Sequence, residues 1–115
     1  MELHKIVEKM KEELSGEIKG SNEYLGMAEE ADKINQHGLA RHYKEMAREE
    51  YTHANSIMHD MKRYGMDIDQ EHMKMMHELK EKLMRAWEGS LFALWKRKGE
   101  YMEKYVLPVQ MFLAA

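Results

Sequence analysis

The chain has 115 residues, 34% of them charged and 43% hydrophobic, with one proline and a formal net charge of −3. That size and mixture describe a single amphipathic, helix-rich domain over 1–115 with room for a modest core. The absence of cysteine excludes disulfides, thiolate metal sites and cysteine nucleophiles, so any metal must be held by oxygen and nitrogen.

Both charge signs are interspersed and no basic block would track a phosphate backbone, so no nucleic-acid partner is expected. The N-terminal Met1-Glu2-Leu3-His4-Lys5 is charged from its first turn and lacks an apolar signal core. No apolar run approaches the roughly 20 residues that span a bilayer. A cytoplasmic protein without a membrane segment is expected. The 13 methionines read as adaptable core filler.

Helix A is predicted over about 2–32. Leu3, Val7, Met10, Leu14, Glu17, Ser21, Tyr24, Ala28 and Ala31 alternate steps of four and three, one continuous stripe on a helix. Asp32 to Gly38 is a short polar connection, with Asn35 a candidate N-cap. Helix B is predicted over about 36–64, its stripe running Leu39, Tyr43, Met46, Glu50, His53, Ile57, Met61 and Tyr64, with Gly65 suited to its end. So short a connection makes A and B antiparallel. Asp69 is positioned to cap helix C, predicted over about 70–105. Met73, Met76, Leu79, Leu83, Trp87, Leu91 and Leu94 lie on its apolar face, Gly89 or Gly99 is the expected point of a bend or interruption, and Pro108 ends it near Val106. The apolar tail from Val106 to Ala115 is about half the length of a membrane span and reads as a packing segment. The fold class is all-α: an antiparallel hairpin plus a long third helix.

Glu17, Glu50 and His53 stand mid-stripe where a simple core would be apolar. Buried carboxylates are costly unless paired or coordinated. Counting at about 1.5 Å per residue from the turn puts Glu17 and Glu50 at one height on antiparallel helices, and His53 is one turn from Glu50 on the same face. Carboxylate and imidazole donors without sulfur suit iron or manganese and also accept zinc. A di-iron bundle takes one Glu from each of two helices and Glu-x-x-His from each of two others. This chain holds half that set, because no later glutamate has a histidine three residues on. Two copies about a twofold axis supply the remainder, which predicts a metal site at a homodimer interface and a four-helix bundle completed by dimerisation.

From Glu17 to Met58 the sequence resembles the first hairpin of the ferritin-like superfamily, and rubrerythrins in particular. The residues that carry the likeness are Glu17, Tyr24, Met27-Ala28, Ala31, Tyr43, Met46-Ala47 and Glu50-Tyr51-Thr52-His53-Ala54, with Glu50 33 positions after Glu17. A second ligand-bearing hairpin and a cysteine-bearing rubredoxin module are both missing. In that brevity the chain is similar to encapsulated ferritins. The resemblance implies a di-iron ferroxidase centre with Glu17, Glu50 and His53 as iron ligands, shared between two subunits. It also implies assembly of dimers into a higher oligomer or ring, and iron delivery to a surrounding encapsulin shell, within whose nanocompartment the protein would lie.

Other readings stay open. A rubrerythrin-like peroxide-reducing di-iron protein and a non-catalytic helical metal-binding or interaction module fit the same hairpin. Tyr24 is a candidate hydrogen-bonding or redox-active neighbour of the ligands, or a packing residue. Glu12 and Glu13 are expected on an exposed face. His4, His37, His42, His59, His72 and His77 are expected in solvent. His72-Met73-Lys74-Met75-Met76-His77 offers Cu(I)-type donors, but one helix splays them around its circumference. Trp87, Leu91, Phe92, Leu94 and Trp95 are expected to pack in the core or against a partner.

Overall fold

Strong helical periodicity with few breakers becomes three α-helices in the computed structural model, which describes residues 2–88. They are α1 (Leu3–Lys33), α2 (His37–Arg63) and α3 (Gln70–Glu88). No strand occurs among the described residues. The rest of helix C, with Gly89, Gly99, Leu91, Phe92, Leu94, Trp95, Pro108 and the tail, lies outside them.

The α1–α2 turn is made by Asn35, whose φ of 59° is left-handed. Asparagine tolerates that region better than other side chains. Asn35 is therefore the turn residue and not the predicted N-cap. The cap position falls to Gln36, which makes no side-chain capping bond. Gly65 has φ 72° just beyond α2, the glycine stop expected there.

Cross-helix pairs define the directions. Glu17 meets His53, Ser21 meets Ala47 and Tyr24 meets Tyr43, so α1 and α2 are antiparallel. Lys11 meets Asp69, Ser15 meets His72 and Asn22 meets Lys82, so α3 runs parallel to α1. The α1–α2 seam is lined by small buried residues, Ser21, Ala28, Ala31, Ala40, Ala47 and Ala54. Small side chains let helix axes approach closely. Ser21 Oγ also donates to the Ala47 carbonyl oxygen at 2.7 Å, a fully buried cross-tie.

One core cluster unites the helices: Leu14 and Ile18 from α1, Tyr51, Ala54 and Met61 from α2, and Met76, Leu79 and Leu83 from α3. This core is displaced from the predicted stripes. α3 docks on the Ser15 side of α1, and Ser15 and Glu17, two residues apart, project roughly 200° from each other. The stripe residues on the far side are left at the rim. Leu3, Leu39 and Tyr64, expected inside, are 66%, 43% and 67% exposed, and Met73 on α3 is also exposed.

The α3 N-terminus is fixed by a connected set of polar bonds. Asp69 Oδ1 accepts from the His72 backbone N–H at 2.8 Å, as an N-cap should. The same carboxylate meets His72 Nδ1 at 2.8 Å, and His72 Nε2 meets Ser15 Oγ at 2.8 Å. A proton on Nδ1 leaves Nε2 to accept from the serine hydroxyl. His72, expected in solvent, has a side chain only 14% exposed. Its hydrogen bonds hold the Asp69 carboxyl down at about 2, first through the backbone N–H and then through the ring. A lowered carboxylate stabilises fully above its ordinary 3.8, and that contribution is lost as pH falls through about 2. Asp69→Ala is expected to lower the thermal midpoint at pH 7 by roughly 5 °C. The difference from the parent should shrink between pH 4 and pH 2, as scanning calorimetry or circular dichroism would read.

Candidate metal centre

α1 and α2 deliver Glu17, Glu50 and His53 to one place. One donor atom from each lies within 4.8 Å of the others, the only such His/Asp/Glu group of three or more among the described residues. The close seam makes this possible, since Ser21–Ala47 locks the helices one turn beyond Glu17. The common height counted from the turn is the height observed.

The degree of burial differs from the expectation of an inward line. Glu17 and Glu50 are half-buried, and the His53 side chain is 60% exposed. The group sits at the rim because α3 has drawn the core to the other side of the hairpin. Three donors therefore open onto a face that the described residues leave uncovered.

The local chemistry is unbalanced without a cation. Glu17 Oε2 is buried and accepts no hydrogen bond; it faces His53 Nδ1 at 3.4 Å. The Glu50 carboxyl is pushed up to about 7. The main cause is the adjoining Glu17 carboxylate, with which a protonated Glu50 would share a hydrogen bond; burial and carboxylate repulsion add to it, and His53 opposes. Two carboxylates that resist joint ionisation, one with an orphaned buried oxygen, fit a divalent cation held between them. Oxygen-plus-imidazole donors of this kind can hold iron, manganese or zinc.

Tyr24 is not hydrogen-bonded to these ligands. It stacks on Tyr43, ring centroids 6.2 Å apart and planes at 23°, on the turn side of the group. Glu12 and Glu13 are exposed, as expected. The donors between His72 and His77 are dispersed: His72 is engaged by Asp69 and Ser15, Met76 is in the core, and His77 is exposed beside Glu81 at 3.1 Å. His4, His37, His42 and His59 are exposed.

Two residues escaped the sequence reading. Ser15 gives no sign in sequence of its bond to His72, 57 residues away. Gly20 carried a weak sign, a glycine inside a strong helical pattern one turn from Glu17. Beyond these three donors towards the turn, a groove is lined by Met27, Ala31, Ile34, Leu39 and Tyr43 with Glu23, Glu29 and Glu30 at its edges; Met27, Ile34 and Leu39 are exposed. No helix of the described residues is long and apolar enough to cross a membrane.

No protein-family model matches the chain. No curated protein and no solved structure is significantly similar to it.

Proposed function

We propose that this chain is half of a ferritin-like, di-iron ferroxidase, completed by a second copy across the face that carries Glu17, Glu50 and His53. The convergence of those three donors within 4.8 Å carries the reading. The orphaned Glu17 oxygen supports it, as does the groove further towards the turn that the described residues leave uncovered.

Iron is the substrate. Each ferrous ion gives up one electron, and a pair of ions reduces one dioxygen or peroxide by two electrons. The chain's own residues account for capture and charge stabilisation. Glu17 and Glu50 attract the dication and favour the more highly charged ferric product, because anionic oxygen donors stabilise charge more as it rises. Glu50 releases its proton as the cation enters. Exposed His53 offers imidazole nitrogen from the solvent side, where a second subunit would close over it. Two copies would present four carboxylates and two imidazoles, the set of a di-iron bundle. Further assembly into rings and delivery to an encapsulin shell belong to the same reading.

Anaerobic protein mixed with ferrous iron and then air should develop ferric absorbance rapidly, and His53→Ala should slow that rise by at least about tenfold. Equal rates in parent and variant would defeat the ferroxidase assignment. A preference for peroxide in the same stopped-flow experiment would redirect it to a peroxide-reducing di-iron protein.

A further inference from the structure

α1 contains three glycines, each disfavoured against alanine in a helix interior. None of them has the positive φ that requires glycine. At Gly16 and Gly26 an added methyl would meet nothing within 4 Å. At Gly20 it would lie 3.3 Å from Glu50 Oε2, 3.5 Å from its Cδ and 3.6 Å from its Cγ. Every one of those near contacts belongs to the Glu50 carboxylate arm.

Gly20 is one turn along α1 from Glu17, and the Glu50 side chain reaches across the seam to rest over its bare Cα. The adjacent Ser21–Ala47 bond fixes the helix separation at this level. The backbones cannot spread to accommodate a methyl without breaking a buried hydrogen bond. The carboxylate must move instead.

We propose that Gly20 is a positioning residue for the metal centre: its missing side chain is the clearance that lets the Glu50 carboxylate lie beside Glu17 and His53. This inference rests on the metal-site reading. It adds a residue that touches no metal itself and acts only through where it lets Glu50 stand. Any Cβ at position 20 displaces Oε2 by a few tenths of an ångström, and ligand geometry is sensitive on that scale.

The test is a Co(II) titration of parent, Gly20→Ala and Gly16→Ala, followed by visible absorption and calorimetry, with metal-free melting curves for each. Gly20→Ala is expected to bind Co(II) about tenfold or more weakly, as supporting-residue changes do. Its visible band should shift, while the metal-free melting temperature holds or rises through better helix propensity. The Gly16→Ala control should keep the parent affinity and spectrum. Unchanged affinity and spectrum in Gly20→Ala would overturn the inference. A lowered metal-free melting temperature would also overturn it, by showing that the methyl disturbs the hairpin as a whole. Failure of the parent itself to bind Co(II) would instead overturn the metal-site reading on which it depends.

Discussion

Replacing Glu50 with glutamine should cost the protein its metal and make the metal-free protein more stable at alkaline pH. Glutamine keeps the shape of the side chain and can donate to Glu17, but it brings no charge. Losing outer-shell support alone costs metal sites about 10–100-fold, so losing a ligand should weaken divalent-metal affinity by at least about 100-fold. The stability change runs the other way. A carboxyl raised from its ordinary 4.5 to about 7 contributes fully below 4.5, and that contribution is lost as pH rises through about 7. The metal-free parent therefore carries a penalty at pH 8 that it does not carry at pH 5, and Glu50→Gln escapes it. Chemical denaturation at the two pH values should give matching midpoints at pH 5 and a higher midpoint for the variant at pH 8. Stability gained as function is lost is the pattern of a functional site. A variant less stable than the parent at pH 8 would mean that Glu50 is a structural ion-pair partner.

The second large effect expected is assembly driven by metal. One chain offers two carboxylates and one imidazole, too few to saturate a pair of ions. The donors also sit at the rim, with His53 60% exposed and the groove of Met27, Ile34 and Leu39 further towards the turn. If two copies share the centre, metal binds the dimer better than the monomer and must tighten it by linkage. Free metal at 100 times its dissociation constant stabilises the bound form by about 2.7 kcal/mol per ion. That is about a hundredfold in dimer affinity for each ion.

The convergence of Glu17, Glu50 and His53 was legible in the sequence because the signal is local and chemical. Glu17, Glu50 and His53 interrupt apolar stripes at helical spacing, and a short turn fixes two helices at one height. The α3 cap at Asp69 and the glycine stop at Gly65 were legible for the same reason, since each depends on a few neighbouring residues. Which flank of the stripe would be buried was not legible. A stripe about Glu17 borders two sides of α1, and only the docking of α3 beside Ser15, Asn22 and Leu14 selects between them. His72 was assigned to solvent because its partner Ser15 is 57 residues away. Asn35 was misread because asparagine serves both N-caps and left-handed turns. Gly20 gave only a weak sign because the space it leaves belongs to Glu50 on another helix.

The most direct test of a centre shared between two copies is sedimentation of the full chain at graded Mn(II) or anaerobic Fe(II), with bound metal measured in each species. The reading predicts a species of twice the 13.7 kDa chain mass, or a multiple of it, that strengthens with metal and holds one ion per chain. In Glu50→Gln that response to metal should disappear. A protein whose mass ignores metal, with each monomer binding its ion alone or none at all, would contradict it.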